Sequence, residues 1–225
     1  MITIPLPWGI DRHEKENVVS FSAEEMNLMG STNNNWGVCG FTSTFYSMYE
    51  LNRGKRGLLI GAGIATKVLA EIKTYLTMLK ADGATGLLNE IEAFTKSFGK
   101  VGSADFSTFT IDGYIALVNR AVTRKEEDIK GDPYYSIAMP PNAVVDYLRR
   151  IWDYESTLEV VSGGDGGGAD GIIGVSKGLM PLYDGLCHWM YRFNGRIYSW
   201  GKVFSSVHAA NGAYHVCRII KVKAP

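Results

Sequence analysis

The chain has 225 residues, of which 46% are hydrophobic and 20% are charged, a composition typical of a folded globular protein and not of a disordered or fibrous one. Lysine plus arginine and aspartate plus glutamate number 23 each, so no net charge favours nucleic acid or an anionic membrane as a partner. The three cysteines have no regular spacing, which argues against a disulfide framework and indicates folding in a reducing compartment.

The amino-terminal segment contains Pro5 and Pro7 and has no apolar run after a basic stretch. A secretory signal needs such a run, so we expect none and expect the protein to be cytoplasmic in the cell that produces it. Further along, Ser22 to Glu25 form a capping-box pattern, which predicts a short helix that ends near Gly30.

Cys39 lies where a polar loop, Asn33 to Gly37, runs into an amphipathic segment that continues to Leu51. The apolar side chains of this segment recur near helical spacing, which predicts that Cys39 lies in the first turn of a helix. There, the positive end of the helix dipole is expected to lower the thiol pKa and favour the nucleophilic thiolate. Free cysteine is also among the most buried residue types, so catalysis and packing are both open for Cys39.

Further helices are predicted between residues 61 and 152, and their apolar stripes indicate core packing. They span residues 61–81, Leu87 to Phe98, Ile111 to Val122, and a segment from Pro140-Pro141 to about Trp152. Gly61 and Gly63 precede the first of these helices in a pattern like the start of a dinucleotide-binding fingerprint. Nucleotide binding is therefore one functional alternative.

After Trp152 the pattern changes from helices to strands. Predicted strands span Thr157 to Val161, Ile172 to Ser176, Cys187 to Phe193, Arg196 to Trp200 and Tyr214 to Lys223. Asn194-Gly195 predicts a tight two-residue turn between the third and fourth strands, and the glycine-rich stretch at 163–168 predicts a loop. Helices followed by antiparallel strands predict an α+β fold, a single domain over 1–225 with a helical part at about 22–152 and a sheet part at about 155–225.

His188 lies near the start of the predicted hairpin, and Ser199-Trp200-Gly201 lies across the turn from it. With Cys39 far upstream, this order resembles the papain-like cysteine peptidases, which have a cysteine opening a long helix, a downstream histidine at a strand start, and an Asn-Ser-Trp-Gly segment after it. Positions 39 and 188 are 149 residues apart, within the range of roughly 130 to 150 known for that family. The resemblance covers residues 33–50 and 186–220 and implies a papain-like fold in which the helical half carries the nucleophile. The helical middle of the chain does not resemble papain itself, and in this respect the chain is similar to diverged members of the clan, including bacterial effector proteases and deamidases, whose middles also vary.

The chain departs from that family at the residue that orients the histidine, because Tyr198 occupies the position of the asparagine. The expected hairpin register sets Met190 opposite Ser199, so Ser199 lies on the face of His188 and Tyr198 on the other face. We therefore expect Ser199 to hydrogen-bond His188, with Asp184 or a plain cysteine–histidine dyad as alternatives. Cys187 is expected to point to the opposite face of the strand and, like Cys217, to be structural.

The resemblance implies a thiol hydrolase that works through an acyl-enzyme. His188 accepts the thiol proton, Cys39 attacks a carbonyl, and the Cys39 backbone amide with Asn33, the favoured one among three asparagines, stabilises the oxyanion. A protease, a glutamine deamidase of a host or competitor protein and a peptidoglycan amidase would all use this machinery. A binding module with a decayed site is the non-enzymatic alternative.

The resemblance also suggests an effector or toxin that leaves its producer through a dedicated secretion system, although a cytosolic enzyme fits equally. We expect a protein or peptide substrate and, for an exported protein, a cognate inhibitor or chaperone. We expect neither nucleic-acid binding nor membrane insertion. The sequence has no Cys-x-x-Cys and no His-Glu-x-x-His, so no metal or other cofactor is expected.

Overall fold

The computed structural model describes residues 37–51, 64–101, 103–121, 124, 128–129, 133–178 and 180–223. Its helices are α1 (Cys39–Leu51), α2 (Ile64–Ala81), α3 (Thr85–Ser97), α4 (Ile111–Ala121), α5 (Pro141–Trp152) and the short α6 (Val207–Ala210). Its strands are β1 (Lys100–Val101), β2 (Ala104–Asp105), β3 (Ser156–Val160), β4 (Gly171–Ser176), β5 (Leu186–Phe193), β6 (Arg196–Ser199), β7 (Lys202–Phe204) and β8 (His215–Val222). Mixed helices and antiparallel strands confirm the expected α+β class.

The helices form where apolar periodicity predicts them. In α2 the stripe residues Val68, Leu69, Ile72, Leu76 and Leu79 are at most 2% exposed, because one face of the helix lies against the core. Helix α5 begins at Pro141, whose fixed φ suits the first helical turn. It ends at Asp153, whose left-handed conformation (φ 58°) stops the helix.

Strands β3 to β8 form one six-stranded antiparallel sheet in the order β3-β8-β4-β5-β6-β7. The β5–β6 hairpin has the predicted register, with Tyr191 opposite Tyr198 and Phe193 opposite Arg196. Asn194 (φ 47°) and Gly195 (φ 70°) both lie in the left-handed region, as a type I′ turn requires. The hairpin prediction is therefore confirmed.

Each face of the sheet packs on its own apolar cluster. On one face, Trp189, Tyr191 and Tyr198 join the buried side chains of the helices in the larger cluster. On the other face, Met190, Tyr214 and their neighbours form a smaller cluster that also contains Val207 of α6. Alternation along β5 and β6 explains this division, since successive side chains point to opposite faces.

The structure adds elements that the sequence pattern did not predict. These are the two-residue strands β1 and β2, the edge strand β7 and the four-residue helix α6, all too short to carry a readable period. The predicted helix at residues 22–30 and the glycines Gly61 and Gly63 lie outside the described residues. Among the described residues, no helix combines the length and apolar character needed to cross a membrane.

Candidate functional site

Cys39 is the first residue of α1, as the sequence predicts. The helix start is anchored by Val38, whose carbonyl accepts hydrogen bonds from the backbone N–H groups of Phe41 at 3.0 Å and Thr42 at 3.1 Å. Gly40 allows the segment before α5 to pass very close, because a Cβ at this position would lie 2.7 Å from the Cβ of Met139. Glycine after Cys39 is thus explained by close packing against Met139.

The thiol of Cys39 is neutral at physiological pH. The residue is only half-buried, but desolvation of the sulfur raises its pKa to about 11, and the nearby thiol of Cys187 adds to this. The backbone N–H groups of Trp189, Cys39 and Gly40 act in the opposite direction, as the expected dipole effect would. The expected lowering of the Cys39 pKa is therefore wrong, because burial outweighs the helix N-terminus.

His188 is held by Ser199 across the β5–β6 hairpin. Its Nε2 lies 2.7 Å from Ser199 Oγ, and both residues are buried, at 7% and 2% exposed. This confirms that Ser199 is the hydrogen-bond partner of His188. A neutral imidazole protonated on Nε2 donates to Ser199 and leaves Nδ1 as an acceptor, which is the tautomer that a general base would need.

Trp200 covers the imidazole of His188. The two rings stack with centroids 4.4 Å apart and planes 10° from parallel. Trp200 (φ 50°) and Gly201 (φ 67°) make the two-residue turn between β6 and β7, although a left-handed conformation is unfavourable for a bulky residue. Tyr46 lies about two helical turns after Cys39 in α1, and its hydroxyl approaches the backbone N–H of Gly201. Helix α1, which carries Cys39, therefore also contacts the turn between β6 and β7. Such backbone strain persists where the surrounding structure holds it in place.

The imidazole of His188 is neutral at physiological pH. Desolvation lowers its pKa to about 3, and the positive charge of Lys177 contributes to the lowering. Together with the raised pKa of Cys39, this makes the resting site a thiol next to a neutral histidine, rather than a thiolate–imidazolium pair.

A β-bulge in the β4–β5 pairing changes the position of Cys187. Val175 pairs with His188 and Ser176 with Leu186, so Cys187 is the extra residue. The side chain of Cys187 packs on the smaller apolar cluster. Trp200 and Tyr214, whose rings stack with His188, belong to the same cluster. The expectation that Cys187 points away from His188 is therefore wrong, because the bulge interrupts the alternation of side chains.

Tyr214 and Lys177 also belong to this site, although no motif in the sequence singles them out. The Tyr214 ring stacks 6.1 Å from His188 and 6.2 Å from Trp200, and Lys177 Nζ lies 4.9 Å from the Tyr214 ring centroid. Burial and the nearby thiols of Cys187 and Cys39 raise the pKa of Tyr214. No local pattern could identify these residues, since the sheet brings together β4, β5 and the segment before β8.

The other candidates for orienting His188 have different partners. Asp184 forms an ion pair with Arg218 at 2.7 Å, so it is engaged elsewhere. Tyr198 packs in the larger cluster beside Tyr46 and Tyr191, on the face opposite to Ser199, as the register predicts. A tyrosine at this position is therefore explained by core packing.

The structure brings His188, Ser199 and Trp200 into direct contact and places Cys39 against the backbone of Trp189, the next residue after His188. Within the described residues, no hydrogen bond joins the thiol of Cys39 to the imidazole of His188. Asn33, the expected oxyanion donor, lies outside the described residues.

Among the described residues, no group of three or more His, Cys, Asp or Glu side chains is arranged to hold a metal ion. Comparison with known proteins gives no match: no protein-family model, no curated protein and no solved structure corresponds to this chain.

Proposed function

We propose that the chain is a cysteine-dependent hydrolase with a diverged papain-like site, in which Cys39 is the nucleophile and His188 the general base. The observation that carries this proposal is the way His188 is held. Its Nε2 lies 2.7 Å from Ser199 Oγ, and its ring is covered by Trp200, which lies in an unfavourable backbone conformation. This arrangement fixes the tautomer and the orientation of the imidazole, as a general base requires.

The neutral forms of both groups determine the order of events. Cys39 loses its proton to Nδ1 of His188 as the sulfur attacks the substrate carbonyl, so that the thiolate forms only during the reaction. This step requires the imidazole to reach the thiol directly or through one water. Ser199 accepts the Nε2–H hydrogen bond throughout, although a hydroxyl stabilises an imidazolium less than a carboxylate would.

Completion of the cycle follows acyl-transfer chemistry. The sulfur–carbon bond forms, the carbonyl π electrons move to oxygen, and the backbone N–H of Cys39 and the side chain of Asn33 are proposed to stabilise this oxyanion. The bond to the leaving group then breaks, and His188 returns its proton to that group. Water, deprotonated by His188, attacks the acyl-enzyme and regenerates the thiol.

The substrate class on this proposal is a peptide, a side-chain amide or a peptidoglycan crosslink. The resemblance to papain-like effectors supports export as a toxin or effector, and glutamine deamidation is the alternative reaction on the same site. All of these share the covalent intermediate on Cys39, so the first experiment should detect that intermediate without knowing the natural substrate.

An activated ester provides that experiment. Para-nitrophenyl acetate should transfer one acetyl group to Cys39, detected by peptide mass spectrometry, and the His188→Ala variant should lose most of this transfer. The Cys187→Ser and Cys217→Ser variants are matched controls and should retain it. Acetylation of Cys39 no faster than that of free cysteine, or equal acetylation in the wild type and His188→Ala, would refute the proposal.

One specific observation favours a binding module instead, namely the raised pKa of the Cys39 thiol. A buried neutral thiol is typical of structural cysteines. The same ester separates the two functions, since a packed structural thiol would remain unmodified whatever residue is present at position 188.

A further inference from the structure

The backbone of Lys177 is held in place beside the candidate site by the end of strand β4. It follows Ser176, the last residue of β4, which pairs with Leu186 on one side and His215 on the other. Ser176 Oγ donates a hydrogen bond to the Asp184 carbonyl at 2.8 Å and accepts one from the Gly178 N–H at 2.9 Å. Because β4 is paired on both sides, the position from which the Lys177 side chain extends is well defined.

The ammonium group of Lys177 lies over Tyr214, one of the two aromatic rings that stack with His188. Its Nζ is 4.9 Å from the Tyr214 ring centroid, within cation–π range, and Tyr214 stacks with both His188 and Trp200. Lys177 as a residue is exposed. A positive charge is therefore available to solvent next to the imidazole.

Lys177 carries a charge that its surroundings do not balance. Within the described residues it forms no ion pair, and the carboxylate of Asp184, whose backbone carbonyl bonds to Ser176 next to Lys177, is paired with Arg218. His188 and Cys39 are neutral at pH 7, since the pKa of His188 is lowered to about 3 and that of Cys39 is raised to about 11. Among the described residues of the site, Lys177 thus presents an unneutralised positive charge beside the neutral His188 and Cys39, and such a charge attracts an anionic substrate group.

The reaction geometry determines which part of the substrate faces this cation. His188 must protonate the leaving group, so the leaving part of the substrate lies against the imidazole and the rings that flank it. Lys177 lies over one of those rings, Tyr214. The cation therefore faces the leaving side of the scissile bond.

We propose that Lys177 is a specificity residue that binds a carboxylate on the leaving part of the substrate. This rests on the proposed hydrolase function and assigns it a substrate class, an amide whose leaving amine belongs to an amino acid or peptide with a nearby carboxylate. Side-chain deamidation does not fit this class, because its leaving group is ammonia.

Two aryl acetates that differ in leaving-group charge test this inference. Para-acetoxybenzoate carries a carboxylate on the leaving group, and para-acetoxybenzamide is its neutral counterpart. The rate constant for acetylation of Cys39 by each ester is divided by that for free cysteine, which removes the difference in intrinsic reactivity. We expect the wild type to prefer the anionic ester by about two- to fivefold, the scale of an accessible ion pair, and the preference to shrink with added salt.

Charge reversal provides the decisive variant. Lys177→Glu should favour the neutral ester, Lys177→Met should abolish the preference, and Lys223→Glu, the same change at another exposed lysine, should keep the wild-type ratio. If neither ester acetylates Cys39, the hydrolase proposal itself fails. If both esters acetylate Cys39 with a ratio near unity, or if Lys223→Glu changes the ratio as much as Lys177→Glu, the hydrolase proposal stands and the role of Lys177 is overturned.

Discussion

Nε2 of His188 lies 2.7 Å from Oγ of Ser199, and the bond joins two adjacent antiparallel strands. Removal of the hydroxyl in Ser199→Ala leaves the imidazole free to change tautomer and to rotate. We expect acetylation of Cys39 to fall by about tenfold or more, with a loss of about 1–2 kcal/mol in the free energy of unfolding. Ester kinetics and urea denaturation of the same sample measure the two effects.

The matched control is Ser97→Ala, which removes a hydroxyl that donates to the Phe94 carbonyl at the end of α3. It should change stability slightly and the acetylation rate not at all. Equal acetylation rates in Ser199→Ala and the wild type would show that this hydrogen bond has only a structural role.

Trp200 is expected to keep water away from His188. In Trp200→Asn the turn gains a residue suited to its φ of 50°, which offsets part of the packing lost with the indole. Stability should therefore change by no more than about 2 kcal/mol, whereas the pKa of His188 should rise towards about 6.5. NMR titration of the imidazole measures that pKa. An unchanged His188 pKa in Trp200→Asn would mean that other groups cause the desolvation.

Stability should depend on pH through His188. Its pKa is about 3 in the folded chain and about 6.5 in the unfolded chain, so between these values the unfolded state binds more protons. The free energy of unfolding should therefore fall as pH decreases from about 6.5 to about 3, by on the order of 4 kcal/mol from this residue.

The variant His188→Gln isolates that contribution, because glutamine does not titrate. Its stability should fall less steeply over the same pH interval than that of the wild type, when both are measured by denaturant unfolding at several pH values. Parallel pH profiles would mean that carboxylates account for the whole acid dependence.

The neutral thiol of Cys39 should show in its alkylation rate. Since its pKa is raised to about 11, labelling by iodoacetamide at Cys39 should be slow at pH 7 and still rising at pH 9. An unfolded sample, in which the thiol has its ordinary pKa of about 8.5, is the control. A labelling rate that levels off below pH 8 would indicate a preformed thiolate and would contradict the proposed order of proton transfer.

Gly40 should be required for packing. In Gly40→Ala the new methyl group meets Met139 at 2.7 Å, and we expect a loss of about 1–3 kcal/mol in the free energy of unfolding. Gly86→Ala, at a position in α3 with nothing within 4 Å of an added Cβ, should be neutral or stabilising by up to about 1 kcal/mol. Combining Gly40→Ala with Met139→Gly, which removes the Cβ that the new methyl group would meet, should cost less than the sum of the two single changes. Strict additivity would argue against the contact.

Local patterns in the sequence were enough to predict the main helices and strands and one contact of the site, the one between His188 and Ser199. The apolar stripe of α2 repeats at helical spacing, and the turn at Asn194-Gly195 sets the register of the hairpin. That register alone places Ser199 on the face of His188. These features depend on residues close together in the chain, where spacing translates directly into geometry.

The tertiary structure decided the pKa values in the site and which residues form it. Desolvation of Cys39 reverses the effect expected from its helix position, and the bulge turns Cys187 towards the smaller cluster. Tyr214 stacks with His188 and Lys177 lies over the Tyr214 ring, and both residues come from other elements than the hairpin. Burial and ring contacts of this kind depend on which distant segments pack together, and therefore no local pattern contains them.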